Sequence, residues 1–233
     1  MGTIVNIIAI LIGSSIGMAG KKIVDDKIEA SIKNVLGLST IIVGILGIIT
    51  SSITINKNGT LQSNSTLLLV ISLVIGTLIG ELLDIDTKIT NVIKKFEEKF
   101  SIGGFSDGFI PASVLFCTGA MAIVGALNDG LLNDPTILYT KSILDGVVAI
   151  LFTATLGFGV FFSSVSVGVY QGSITLLGIY LSPYLSNALV NNICLVEYAM
   201  VVSIGLDLMK IKEIKVLNML PGFLIPIIYA LIF

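Results

Sequence analysis

The sequence has no histidine, tryptophan or arginine in 233 residues, and charge of either sign is scarce, at 12%. A soluble domain carries about twice that charged fraction. A soluble enzyme, a secreted disulfide scaffold and a disordered chain are excluded together. Without arginine, thirteen lysines face fifteen acids for a net charge of −2. That balance offers no basic surface for DNA or RNA, so no nucleic-acid partner is expected. Missing histidine removes the usual general base, metal ligand and pH switch. The two cysteines, Cys117 and Cys194, both lie in apolar stretches and give neither a metal-ligand spacing nor a disulfide framework. No G-x-x-x-x-G-K-[ST] run occurs, which closes the P-loop route to nucleotide hydrolysis. The expectation is a protein that is not an enzyme and holds no metal or cofactor.

What is present is apolar: 55% of residues are hydrophobic and the mean hydropathy is +1.04. A segment in lipid must satisfy its own backbone hydrogen bonds, so this balance predicts an all-α, polytopic integral membrane protein whose main partner is the lipid bilayer. Uncharged runs at 1–20, 34–56, 58–80, 108–128 and 216–233 are each about long enough to cross roughly 30 Å of hydrocarbon. From Gly146 to Val196 run 51 more uncharged residues, too many for one crossing. Gly157, Gly159, Ser163, Ser164 and Ser166 interrupt that run, as do Ser182 and Pro183. About eight transmembrane helices result, near 3–20, 35–54, 65–83, 108–127, 141–161, 165–183, 192–208 and 215–232, in a single transmembrane domain over 1–233. The first run lacks a basic stretch before it and an A-x-A-like end, so it reads as a retained span.

Lysine placement tests that count. Lys21, Lys22, Lys27 and Lys33 follow the first span; Lys88, Lys94, Lys95 and Lys99 follow the third; Lys210, Lys212 and Lys215 follow the seventh. These eleven fall on one side only if two crossings separate Lys141 from the span containing Glu197, leaving Lys57 and Lys141 opposite. The positive-inside rule then places both termini outside. Within the first two lysine-rich linkers, Val24, Ile28, Ile32 and Val35, and later Ile85, Ile89, Val92, Ile93, Phe96 and Phe100, recur at helical spacing among charges. Such stripes predict interfacial amphipathic helices.

Repeats are visible inside the chain. Ile12-Gly13-Ser14-Ser15-Ile16-Gly17 resembles Ile75-Gly76-Thr77-Leu78-Ile79-Gly80, and Ile42-Val43-Gly44 resembles Ile123-Val124-Gly125. The copies run the same way across the membrane, which predicts parallel helical-hairpin repeats. Gly13, Gly17, Gly76 and Gly80 are therefore helix-packing candidates. Gly168 and Gly172 form a small-xxx-small pair that serves packing or a homo-oligomer.

Polar groups at depth cost a few kcal/mol unless paired or hydrated, so they mark candidate sites. Gln171 falls near the middle of the sixth span, Asn6 a turn or so into the first, Asn128 and Asp129 at the end of the fourth, and Asp145 early in the fifth. Lys141 and Asp145, four apart, share a helical face and form an expected ion pair. With Asp134 and Glu197, Asp129 and Asp145 would make an acidic outer vestibule that favours cations. Asp145 and Asp207 are the one conceivable acid–base dyad, and the topology puts them at opposite membrane faces.

Beyond these patterns, Gly2-Thr3-Ile4-Val5-Asn6, with Gly13 and Gly17, resembles the YdfK/YqgA-like family of bacterial multi-spanning membrane proteins. So does Leu115-Phe116-Cys117-Thr118-Gly119-Ala120-Met121-Ala122-Ile123-Val124-Gly125 followed by Asn128-Asp129-Gly130. Lys141-Ser142, Leu144-Asp145-Gly146, Tyr170-Gln171-Gly172 and Asn218-Met219-Leu220-Pro221 fit the same pattern; Ala126-Leu127-Asn128 departs from it. The resemblance runs from end to end and implies an integral membrane protein of a family without a known function. It suggests a transporter-like role and a bacterial cytoplasmic membrane. The expected function is a channel or secondary transporter for a small solute or ion, a cation by preference, with Asn6, Asn128, Asp129, Asp145 and Gln171 as pathway residues. The alternative is a non-transporting scaffold or sensor acting through its interfacial helices.

Overall fold

The computed structural model describes residues 1–21, 26–55, 61–63, 65–100, 104–118, 120–181, 183 and 186–232. The helices are α1 (Gly2–Lys21), α2 (Asp26–Ser52), α3 (Thr66–Leu83), α4 (Ile85–Phe100), α5 (Phe105–Cys117), α6 (Ala120–Leu132), α7 (Thr136–Leu156), α8 (Gly159–Leu181) and α9 (Asn187–Leu208). A 3-10 segment, Val216–Phe223, then leads into α10 (Leu224–Ile232). Two three-residue strands, β1 (Ile53–Ile55) and β2 (Leu61–Ser63), pair antiparallel with Ile53 opposite Ser63.

Among the described residues, α1, α2, α3, α7, α8 and α9 are each long and apolar enough to cross a membrane. The expected fourth span is not one helix. It is the pair α5 and α6, bent by 61° at a short break. At that break Thr118 adopts an extended backbone (φ −79°, ψ 149°), which takes the chain out of the helical ladder. In place of the expected eighth span lies the shorter apolar stretch Val216–Ile232, which is not among the helices long enough to cross and is 3-10 over its first half, where Pro221 cannot donate a backbone hydrogen bond.

The interruption expected in the long uncharged run falls earlier than its serines suggest. Gly157 turns the chain at φ 88°, a conformation that favours glycine, and α8 has begun by Gly159. Ser163 and Ser164 then sit inside α8, donating to the carbonyls of Val160 and Phe161 (2.6 and 2.7 Å), so their hydroxyls are satisfied without breaking it. The amphipathic stretch after the third span is α4, as its spacing predicts. The one after the first span is no separate element from Asp26 onward. Ile28, Ile32 and Val35 lie on α2 itself, whose 27 residues extend about 40 Å. Val24 and Asp25 lie outside the described residues.

The chain divides into two compact units, residues 1–36 with 91–184, and residues 37–90 with 185–233. In the first, α1 lies along α7 at backbone contact. A Cβ on Gly13 would sit 2.2 Å from the Gly146 carbonyl oxygen, and one on Gly17 2.4 Å from that of Ile150. The numbers rise together, so the two helices are parallel. α5 starts against the beginning of α8, with Gly108 beside Val160, and α6 ends near its far end, with Gly130 beside Thr175. The bent pair therefore advances along α8 as one broken crossing rather than returning as a re-entrant loop. Phe105, Phe109, Phe158, Phe161 and Phe162 stack at the end where it begins, with ring centroids 5.2–5.7 Å apart.

In the second unit α3 packs on the 3-10 segment, Gly76 against Gly222 and Gly80 against the Asn218 carbonyl. The later part of α2 packs on α9, with Gly44 beside Val202. Asn218 Oδ1 accepts from the Asp86 N–H at 2.7 Å, capping the first turn of α4 from a distance in sequence.

Candidate functional site

The first unit contains a polar cluster at mid-helix depth. Asp145 is the tenth residue of α7, about 14 Å from its start, and Gln171 lies close to the centre of α8. Asp145 Oδ2 accepts from Asn6 Nδ2 at 2.9 Å and pairs with the Lys141 ammonium, one helical turn earlier on α7. Asn6 Nδ2 also donates to Gln171 Oε1 at 3.3 Å. Asn6 and Gln171 are 0% exposed, Lys141 5% and Asp145 7%, so the cluster is almost wholly buried.

A second partner explains where the lysine goes. Lys141 Nζ donates to the Phe116 carbonyl at 2.7 Å. Phe116 is in the last turn of α5, where carbonyls lose their helical partners because α6 departs at an angle. Helix C-termini carry partial negative charge. The ammonium thus satisfies a broken helix end and a carboxylate together, and the four side chains sum to zero net charge.

Orientation of the two amides follows from the carboxylate. Asp145 only accepts when ionised, so Asn6 must turn its NH2 towards it, and Gln171 must then turn its oxygen towards that NH2. This leaves Asn6 Oδ1 and Gln171 Nε2 buried without a hydrogen-bond partner among the described residues. Further hydroxyls extend the polar line along α8: Ser166 pairs with Ser113 of α5 at 2.9 Å, and Thr175 with Thr3 of α1 at 3.4 Å. Ser14 Oγ on α1 and Thr153 Oγ1 on α7 are buried and also unpartnered.

Asn6, Asp145 and Gln171 are thus brought together, while Asn128 and Asp129 are not part of the cluster. Asp129 accepts from the Gly2 N–H at 2.9 Å and from the Met1 amino group, fastening the start of α1. Asn128 contributes its carbonyl to the turn after α6, accepting from the Asp134 N–H. The residues that sequence reasoning leaves out are Lys141 as a member of the site and Phe116, whose part is played by its backbone. The four-residue spacing to Asp145 signals the first; no side-chain pattern signals the second.

The four acids of the expected outer vestibule stand in different settings. Asp145 is set half-way along α7 and its charge is offset by Lys141. Asp129 is held by the start of α1. Asp134 lies in the loop before α7, where the Thr136 hydroxyl and N–H hold its carboxyl below the usual carboxylate range. Glu197 and Asp207 both belong to the second unit. No group of three or more Cys, Asp or Glu able to hold a metal gathers among the described residues. Of the packing glycines, Gly13, Gly17, Gly76 and Gly80 make the backbone contacts given above. A Cβ on Gly168 would meet only the Ile7 side chain, and one on Gly172 would meet nothing within 4 Å.

The chain matches the family described as "Protein of unknown function (DUF554)" over residues 1–231, and it belongs to that family. It is 31% identical over 225 residues to the uncharacterized membrane protein YdfK of Bacillus subtilis, covering 97% of this chain and 93% of that protein. It is 26% identical over 232 residues to the uncharacterized protein YqgA of Escherichia coli, covering 97% of this chain and 94% of that one. No solved structure is significantly similar. The chain is accordingly a helical membrane protein of the YdfK/YqgA-like kind.

Proposed function

We propose that this protein is a channel or secondary transporter that moves a small solute across the bacterial cytoplasmic membrane, crossing it eight times with both termini outside. The supporting observation is the broken α5–α6 crossing, whose freed carbonyl end meets a buried Lys141–Asp145 pair at mid-helix depth. Discontinuous helices at the midplane are the recurring way in which transporters present backbone groups to a solute, and ionisable residues at that depth mark pathways. Duplication of a hairpin is part of the same reading: α1 and α3 carry the same glycine spacing, and each uses both glycines for its tightest backbone contacts. The test is uptake into proteoliposomes over a panel of solutes and ions. Protein-dependent flux that falls in Asp145→Asn and Gln171→Leu supports the reading; no flux of any member refutes it.

A scaffold reading rests on α4, whose amphipathic sequence leaves Val92 68% exposed. It predicts normal partner or lipid binding in an Asp145→Asn variant and loss of binding in Val92→Asp.

A further inference from the structure

We propose that the site between α1, α7 and α8 takes small uncharged solutes carrying both a hydrogen-bond donor and an acceptor, and not ions. The inference deepens the transport reading and rests on it. The two groups in the cluster that would attract a cation most strongly are the Asp145 carboxylate and the Phe116 carbonyl at the broken helix end, and the Lys141 ammonium already engages both, leaving only the neutral amide oxygen of Asn6. An arriving cation would meet a charge of its own sign, and an anion would meet Asp145 already neutralised. Stripping water from an ion costs far more than neutral dipoles return, so an ion needs an unopposed counter-charge there. The cluster has none to spare.

What it does have is one unused acceptor and one unused donor. Asn6 Oδ1 and Gln171 Nε2 are both fully buried, and their identities are fixed by the chain of bonds that starts at Asp145. Each is the near neighbour, through one amide carbon, of an atom in the 3.3 Å Asn6–Gln171 bond, so the two lie no more than about 8 Å apart. One molecule of one to six heavy atoms can reach both. A hydroxyl or an amide group, donating to Asn6 Oδ1 and accepting from Gln171 Nε2, completes the pair without changing any charge. The groups leading to it are neutral as well: Ser113 with Ser166 lies on one side of Gln171 along α8, and Thr3 with Thr175 on the other. Hydroxyls both donate and accept, so a solute moving along α8 trades one neutral hydrogen bond for another.

The test uses the full chain in proteoliposomes. Water, urea and glycerol permeation are followed by stopped-flow light scattering, and potassium, sodium and chloride fluxes are measured in parallel. Expected is protein-dependent permeation of at least one of the three neutral probes, with ion fluxes equal to those of empty vesicles. Gln171→Leu removes the donor and is expected to slow that permeation about tenfold. Thr175→Val, remote from the Lys141–Asp145 pair, slows it less, and it serves if Gln171→Leu does not reconstitute. Unchanged permeation in correctly folded variants overturns the proposal. Ion flux without neutral-solute flux overturns it too while leaving the transport reading intact, whereas absence of both fluxes overturns the two together.

Discussion

Replacing Lys141 with methionine keeps the length of the side chain and removes its charge. Two groups lose their partner: the Asp145 carboxylate at mid-helix depth and the Phe116 carbonyl at the end of α5. Breaking a buried ion pair by deleting one member costs about 3–5 kcal/mol, because the survivor stays buried and uncompensated. For a chain of this size, 1 kcal/mol corresponds to about 2–4 °C in unfolding temperature. Lys141→Met is therefore expected to lower the transition of the reconstituted protein by roughly 6–20 °C. Asp145→Leu in the same background removes the orphaned charge, and the double variant is expected to recover at least half of the loss. Asn6 then keeps only Gln171 of its two acceptors and the Phe116 carbonyl loses its ammonium, so recovery is incomplete. Thermal unfolding followed by far-ultraviolet circular dichroism reads the effect. A Lys141→Met variant within about 2 °C of the parent refutes the reasoning. So does a double variant no better than Lys141→Met, since the cost would not then come from the unpaired carboxylate.

Four further outcomes follow from the same geometry. Gly13→Ala is expected to destabilise by about 1–3 kcal/mol because its Cβ would sit 2.2 Å from the Gly146 carbonyl oxygen, while Gly172→Ala, with nothing within 4 Å, is tolerated; thermal stability of the matched pair checks both. Asn218→Ala should cost about 1 kcal/mol and speed hydrogen exchange of the Asp86 amide, which loses its cap. Burial, partly opposed by Lys215, holds the Asp86 carboxyl above its ordinary value of 3.8, so its charged form is disfavoured in the folded protein. Asp86→Asn is thus expected to raise the unfolding temperature slightly at neutral pH, and the gain should vanish as pH falls through the raised value, where Asp86 is protonated anyway. Under the proposed topology with both termini outside, and in a background without Cys117 and Cys194, an Asp134→Cys thiol should react with a membrane-impermeant maleimide on intact cells, and Lys212→Cys should react only after permeabilisation.

The helical membrane class and the approximate positions of six spans and of the bent α5–α6 pair follow from where charge is missing, because a charge deep in lipid is costly whatever the surrounding fold. The same physics made Asn6, Asp145 and Gln171 conspicuous one at a time. It could not assemble them: Asn6 and Asp145 meet because α1 and α7 touch at Gly13 and Gly17, and pairing of distant helices leaves no local trace in either segment. The break at Thr118 was hidden for a related reason. Leu115 to Gly125 is uniformly apolar or small, and such a run satisfies the composition of a span whether or not its hydrogen-bond ladder is continuous. Asn128 lies apart from the cluster, and its carbonyl closes the turn after α6.

Lys141 joins the topology argument to the site. Of the thirteen lysines, it and Lys57 were the two that fell on the lysine-poor side. The positive-inside rule counts charges that lie in loops and near span ends, where they remain in water during insertion. At 5% exposure, one turn from the centre of α7 and paired with Asp145, Lys141 is not such a charge. Paired with Asp145 it is half of a neutral pair, so it gives no vote against the proposed orientation. Lys57 is then the only lysine left to oppose the eleven on the other side. The Lys141 ammonium instead serves the carbonyl end of the broken α5 helix. Its removal should disturb the site while leaving the orientation of the chain unchanged, which the maleimide pattern of Lys141→Met would reveal.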